Sequence, residues 1–446
     1  MRYTVPVRQL ALDCLRVLEA DNLTITAVVD RVIQDKNPSA ADCRLLNELV
    51  YGTTRWRKQL DWVLTHFVAE GFRLNPRDRD ILRLGTYQLL HLDRIPPHAA
   101  IYETVELAKP KNRTVRFVNA VLRSVQREAG TLQYPSIEQR PVRHIAVTQS
   151  YPSWLVERWV KRHGVEWTLA FCRASNQVAP LSLRVNTSKI DRAGLIESLT
   201  ASGIIVNEGY IAPEGVFLSG APPLQSLQAY KDGWFYVQDE SAMLVSYLLS
   251  PRPDDTVIDF CAAPGGKTTH IAELTDRAAR ICAVDISEEK IQRIRENCQR
   301  LGFTNVQTQV LTGGKRIAPQ ASADCVLVDV PCSGFGTFRR HPDIRWKKRP
   351  EQIRQLAQLQ LRILKEAAQY VKPDGVLVYS TCSIEPEENE EVVRQFLKRA
   401  PQFRLESASG FLPFASAGVI TPEGFLQTFP HKHSVDGAFA ARLRAP

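Results

Sequence analysis

Apolar residues in the amino-terminal part of the chain recur every three or four positions. Leu10, Cys14, Val17 and Leu18 share one helical face, and Ile81, Leu84, Leu89 and Leu92 share another with one phase slip. This spacing predicts helices from Val7 to about Arg127, broken at Pro96 and Pro97, with no strand-like alternation. Residues 132–145 hold prolines and few periodic apolar positions, which predicts a linker. From Pro152 to about Lys231 the pattern is mixed: a helical WLVERWVKRHG, an extended LSLRVN, a helical AGLIESLTASG and a short strand GVFL. After Trp234 the apolar runs VIDFCA, ICAVD, CVLVDV and VLVYST alternate with amphipathic stretches, the pattern of a doubly wound parallel sheet. In one such stretch Ile291, Ile294, Cys298 and Leu301 step by three and four, Ser287 stands ready to cap its start, Glu288 and Glu289 suit its positive end, and Gly302 can close it. A longer stretch, Glu351 to Val371, is expected to be helical up to the turn Lys372-Pro373-Asp374-Gly375. The expected fold class is therefore multidomain, α + α/β: a helical domain over 1–131, a small α+β connecting module over 146–233 and a mostly parallel sheet domain over 234–446.

Composition narrows the partners. The 446 residues carry 57 basic and 48 acidic side chains, a net charge of +9, which favours a polyanionic partner without requiring one. One acid-free basic stretch, KPKNRTVRFVNAVLRSVQR, holds Lys109, Lys111, Arg113, Arg116, Arg123 and Arg127; a solvated helix face accounts for it as well as a nucleic-acid surface does. Nine cysteines, none in a CxxC pair, argue against a disulfide framework or a zinc ribbon and for reduced thiols. Arg8 and Asp13 interrupt any leader-like apolar stretch, and no long apolar run follows, so a soluble, cytoplasmic protein without membrane or metal partner is expected.

The run VIDF leads into CAAPGGKTT. Pro264, Gly265 and Gly266 make a tight turn of little bulk, letting backbone amides approach a ligand at the start of the next helix. Twenty residues beyond Gly265, Asp285 closes the next strand, where a carboxylate can accept from both hydroxyls of a ribose. A phosphate-binding P-loop would need glycine where Cys261 stands, and GxGxxG is absent. A glycine turn and a ribose acid without a phosphate cradle suit a nucleoside cofactor such as S-adenosylmethionine; a purely structural turn is the competing reading.

Cys332 in DVPCSG and Cys382 in YSTCS, fifty residues apart, each follow a short apolar run, which puts both at the carboxyl ends of neighbouring strands, where open α/β sheets do their chemistry. Carbon 5 of cytosine becomes nucleophilic when a thiolate adds to carbon 6 and an acid stabilises the adduct at ring nitrogen 3; a base must then remove the carbon 5 proton. Cys382, Asp329 and Cys332 supply one cysteine, one carboxyl and one base. Taken singly, each cysteine reads better as a small buried hydrophobe; taken together with Asp329 and the glycine turn, the pair reads as chemistry.

Three long motifs, DFCAAPGGKTTHIAEL, VLVDVPCSGFGTFRRHPDIRW and STCSIEPEENE, resemble those of the bacterial Sun/Fmu/RsmB type of RNA 5-methylcytosine methyltransferases. FVNAVLR is similar to the signature of a NusB-like RNA-binding domain, and PLSLRVN and WFYVQDESA to the connecting module and the entrance of a Rossmann-like methyltransferase domain. The resemblance implies Cys382 as nucleophile, Cys332 as the thiol that releases methylated RNA, and Asp329 against both cytosine and cofactor. It further implies that Cys261, Ala262, Ala263, Pro264, Gly265, Gly266 and Lys267 wrap the methionine end of S-adenosylmethionine, with Asp285 on the ribose. Implied too are 16S ribosomal RNA as partner, cytosine 967 as target and a monomer. Lys109 to Arg127, and Arg339, Arg340, Arg345, Lys347, Lys348 and Arg349, would hold RNA, with Phe338 and Trp346 stacking on bases. The same chemistry on transfer RNA, and a non-catalytic RNA-binding assembly factor, are the alternatives. The chain departs from the family in VLTGGKR, where Thr312 or Gly313 replaces the usual adenine-binding acid, and in DGAFAA, where Ala438 replaces an aromatic.

Overall fold

The computed structural model describes residues 5–446 except 22, 72, 221, 312–315 and 414–417. The chain forms two compact units, residues 1–177 with 338–348, and residues 178–337 with 349–446.

The first unit is helical. Val7–Ala20, Ile25–Lys36, Ala40–Leu64, Pro76–His91, Pro97–Glu106 and Asn112–Glu128 are helices, and their periodic faces meet in one core that includes Leu10, Cys14, Ile81, Leu84, Val118 and Leu122. Local chemistry sets the starts: Thr24, Ser39 and Asn75 each accept a hydrogen bond from a backbone amide of the first turn, and Pro76 and Pro97 occupy first-turn positions where a missing N–H costs nothing. The expected linker is a correction. Pro141 opens another helix, Pro141–Thr148, which buries Ile145, Ala146 and Val147, so proline marks a helix start there. Ser153–His163 and Val165–Asn176 are helical as well and belong to this compact unit, which runs to Gln177.

The second unit holds two sheets. The smaller is antiparallel, with β1 (Leu181–Val185), β2 (Ile205–Glu208), β3 (Gly215–Ser219) and β4 (Phe235–Val237) in the order β2-β3-β1-β4. Since β4 pairs with β1, the connecting module's sheet extends past the expected boundary at 233. The larger sheet comprises β5 (Thr256–Phe260), β6 (Arg280–Asp285), β7 (Val306–Val310), β8 (Ala323–Asp329), β9 (Val371–Thr381), β10 (Arg404–Glu406), β11 (Leu426–Thr428) and β12 (Ala438–Arg444). Its order is β10-β12-β9-β8-β5-β6-β7, with β11 on β12. β5 to β9 run parallel, and β12 returns antiparallel to β9. The helix before β9 is Pro350–Ala368, and the Lys372–Gly375 turn is absorbed into the start of β9. Strand order reverses between β5 and β8, opening a crevice at their carboxyl ends.

Candidate active site

The glycine turn leaves β5 at that crevice. Cys261 (φ 58°) and Gly265 (φ 98°) adopt left-handed conformations around a cis Ala263–Pro264 bond, and the Gly265 amide donates to the Ala262 carbonyl at 2.7 Å. Gly265 has a second reason to lack a side chain: a Cβ there would lie 3.3 Å from Ile294. The helix Gly266–Leu274 starts at once, so the turn presents a helix amino end to the crevice.

A cavity of about 180 Å³ opens beside the turn, lined by Tyr236, Val237, Gln238, Ala242, Asp259, Cys261 to Pro264, Gly266, Lys267 and Asp329. Gly265 and Asp285 border the turn without lining this cavity. Asp285 is buried, and one of its oxygens accepts from the Ala263 amide (3.1 Å), the other from the Ile286 amide (2.7 Å) and Lys290 (2.9 Å). The adenine position at Thr312 or Gly313 lies outside the described residues.

Asp259 escaped the motif reading. Its side chain is buried in the cavity wall, with Oδ2 accepting from Thr268 (2.6 Å) and Oδ1 without a protein partner. Burial, reinforced by the nearby Asp329 charge and opposed by the Thr268 hydroxyl, pushes its carboxyl up to about 7. The signal was present, since an acid inside the apolar run VIDF has to be doing something other than packing.

Asp329 ends β8 and pairs in register with Ser380 of β9. The Ser380 hydroxyl donates to one carboxylate oxygen at 2.7 Å and Lys267 Nζ to the other at 2.5 Å. Burial works against the Lys267 charge, but Asp329, together with Cys382 and Asp259, raises its pKa above the usual lysine value. Lys267 is thus an ion-pair partner of the Asp329 carboxylate as well as part of the glycine turn.

The segments after β8 and β9 bring the two sulfurs to 3.1 Å. Cys332 is half-buried and Cys382 exposed. The hydrogen bond to Cys382, then burial, then the charges of Cys382 and Glu388 push the Cys332 thiol well above its ordinary value, and either sulfur can be the donor in the contact between them. Backbone ties fix the pair. The Gly336 amide donates to the Cys382 carbonyl, and the Gly437 amide of DGAFAA to the Gly336 carbonyl, both at 2.9 Å. Ala438, at the place of the usual aromatic, is buried and opens β12, so that departure is absorbed in packing.

The two basic clusters fare differently. Arg113, Arg116 and Arg123 are exposed on the helix Asn112–Glu128, opposite buried Val118, Val121, Leu122 and Val125, and Lys111 is exposed just before it. Lys109 is exposed and ion-paired with Glu106 at 2.8 Å. The second cluster is a correction. Arg345 is fully buried, donates to the Ser150 carbonyl (3.2 Å) and Asn176 (2.9 Å), and lies 3.8 Å from the Tyr151 ring centre; burial lowers its pKa to about 10. Arg339 is buried, its carbonyl accepting from Arg55, and Phe338 packs edge-on against Tyr151 and Trp159. The Trp346 indole donates to the Thr54 carbonyl at 2.7 Å, and Lys347 pairs with Asp343 at 3.3 Å. Phe338, Arg339 and Arg345 are thus buried inside the helical unit, whereas Trp346 and Lys347 are half-buried. Arg340 and Lys348 are half-buried, and Arg349 is exposed. Among the described residues there is no cluster able to hold a metal ion and no helix long and apolar enough to cross a membrane.

Three family models match: 16S rRNA methyltransferase RsmB/F over 246–444, the NusB family over 5–127, and the ferredoxin-like domain of the RsmF/B-like methyltransferases over 151–225. The last begins within what the three-dimensional contacts assign to the helical unit. The chain is 38% identical to a probable ribosomal RNA small subunit methyltransferase B of Bacillus subtilis, over 98% of both chains. It is 36% identical to one from Synechocystis over 99% of both. A solved methyltransferase homolog protein from Pyrococcus horikoshii superposes with a TM-score of 0.58 at 29% identity, covering 68% of this chain and 97% of that one.

Proposed function

Because this chain belongs to the RsmB/F family of 16S ribosomal RNA methyltransferases, we propose that it methylates carbon 5 of one cytosine in 16S RNA through a covalent cysteine adduct at carbon 6. The observation that carries this reading is the contact of the Cys332 and Cys382 sulfurs beside the Asp329–Lys267 pair. Cytosine 967 is the target that family resemblance implies, and the exposed Cys382 fits a cytosine presented in single-stranded or flipped-out RNA.

The methyl donor is S-adenosylmethionine, whose sulfonium supplies an electrophilic methyl group. The site fits it: the turn offers backbone amides, and Asp259, in the cavity wall, has a buried carboxylate oxygen without a protein partner, which suits a ligand ammonium. Cys261 to Lys267 would hold its methionine end and Asp285 its ribose side. Cys382 adds as the thiolate to carbon 6, while the Asp329–Lys267 pair meets the nitrogen 3 edge and neutralises the charge that builds there. Once Cys382 is a neutral thioether it no longer raises the Cys332 pKa, the largest cause of which was its own hydrogen bond. Cys332 then gives its own proton to solvent and, as the thiolate, takes the carbon 5 proton. The C–H electron pair restores the 5,6 double bond, and the C–S pair returns to Cys382 as thiolate.

The test is a denaturing gel of 16S RNA and S-adenosylmethionine with native protein, Cys332→Ala and Cys382→Ala. A slow protein–RNA band with Cys332→Ala alone is expected. A band only with Cys382→Ala would exchange the two roles, and absence of both band and methyl transfer with every form would overturn the reading.

A further inference from the structure

Next to the thiols lies a buried acid that the reaction above does not use. Glu388 ends the short helical turn Pro386–Glu388 of the EPEENE stretch and is wholly buried. One of its carboxylate oxygens accepts from the Ser333 amide (2.8 Å) and from Gln360 (3.0 Å); the other accepts from the hydroxyls of Ser333 and Ser383, both at 2.5 Å. Ser333 directly follows Cys332, and Ser383 directly follows Cys382. Gln360 also donates to the carbonyl of Pro331, which precedes Cys332 (3.0 Å), and the Tyr379 hydroxyl donates to Glu388's own carbonyl (2.5 Å). A single carboxylate therefore grips the segment after each cysteine.

Packing alone gives no reason for a charge-bearing group here. Burial pushes the Glu388 carboxyl up, against the pull of the serine hydroxyls, and a buried carboxylate is tolerated only where its acceptor capacity is filled. Without it, the two segments keep the sulfur contact itself, the Ser333–Ser383 hydroxyl contact at 3.1 Å and backbone bonds such as the Gly336 amide on the Cys382 carbonyl, none of which joins both cysteine-following residues to a single group.

We propose that Glu388 is a positioning residue that sets the distance between the two catalytic sulfurs, and through it the rate at which methylated RNA is released. The proposal rests on the cysteine-adduct reading. Loss of Glu388 leaves Cys382 free to add to the ring but lets Cys332 drift from the carbon 5 proton, and a displacement near 1 Å costs about a hundredfold in rate.

The experiment compares native protein, Glu388→Ala, Glu388→Gln, Ser383→Ala and Cys332→Ala for kcat, KM for RNA, and the fraction of enzyme in covalent adduct on denaturing gels. Glu388→Ala should accumulate adduct and lose about a hundredfold in kcat with KM unchanged. Glu388→Gln keeps an acceptor for the Ser333 amide and a polar head for the hydroxyls, so it should recover most of the loss. Ser383→Ala, which severs one arm and removes only a hydroxyl, should accumulate adduct too, and decides the matter where Glu388→Ala does not fold. A folded Glu388→Ala with native kcat and no adduct, or a loss of kcat without adduct in both Glu388→Ala and Ser383→Ala, overturns the positioning role while Cys332→Ala still traps RNA. No trapping by Cys332→Ala overturns the adduct reading itself, and the positioning role with it.

Discussion

Removing Arg184 is expected to destabilise the second unit and weaken the cofactor site together. Arg184 lies in β1 and is completely buried. Its guanidinium donates to Glu273 from Nε (2.9 Å) and Nη2 (2.6 Å), to Thr269 (3.0 Å), to the Gly266 carbonyl (2.6 Å) and to Gln238. Three of those partners sit on the helix that the glycine turn begins, so one side chain joins the small sheet to the cofactor turn. Arg184→Met leaves Glu273, itself buried, without its counter-charge, a loss of about 3–5 kcal/mol for a broken buried pair. That is a large share of a typical total of about 5–15 kcal/mol. The loss has a ceiling, because burial already raises the Glu273 carboxyl against the pull of Arg184, and without arginine it takes up a proton. In Arg184→Met/Glu273→Leu both charges are gone, and more than half of the stability should return, the remainder reflecting the lost hydrogen bonds to Thr269 and the Gly266 carbonyl, which keep their contact with each other, at about 1 kcal/mol each. Urea unfolding of native protein, Arg184→Met, Glu273→Leu and the double variant at neutral pH gives the coupling, and isothermal titration gives S-adenosylmethionine affinity, which should fall in both variants that lack Arg184 because the Gly266 carbonyl loses its anchor. A single-variant loss below about 1 kcal/mol, or strict additivity of the two substitutions, would refute the argument.

Changing Arg113, Arg116 and Arg123 together to Gln should flatten the dependence of log affinity on log salt by about 2–3 for 16S RNA, whereas Arg345→Leu should lower the melting temperature of the helical unit and leave that slope alone; a reversed outcome would return Arg345 to the RNA surface. Asp259 has a folded-state pKa of about 7, raised above its unfolded value, so its contribution is fully present below about pH 4 and is lost as pH rises through 7. Asp259→Asn should therefore gain stability over native protein between pH 5 and pH 8, and parallel urea midpoints across that range would rule the shift out. Gly336→Ala would put a Cβ 1.9 Å from the Gly437 carbonyl oxygen. Methyl transfer should drop sharply while S-adenosylmethionine affinity, measured by titration, holds; native turnover would show that the two segments can part without moving the thiols.

Local chemistry determined much of this protein from sequence alone. Apolar spacing placed the helices of Val7–Ala20 and Glu288–Leu301, and Ser287 and Gly302 closed the latter as their side-chain and backbone preferences dictate. Strand runs placed Asp329, Cys332 and Cys382 at adjoining strand ends, because a parallel sheet delivers its carboxyl ends to one edge. Tertiary structure alone decided which charges face water. Arg339 and Arg345 belong to a basic run whose composition reads as exposed, yet Tyr151, Asn176 and the Ser150 carbonyl, far off in the chain, offer a guanidinium a planar face and acceptors. Glu388 looks like one acid among several in EPEENE, and only the meeting of β8, β9 and the helix Pro350–Ala368 surrounds it with Ser333, Ser383 and Gln360. Periodicity and turn chemistry act over a few residues and can be read in order; the cost of burying a charge depends on partners that the chain supplies only after it has folded.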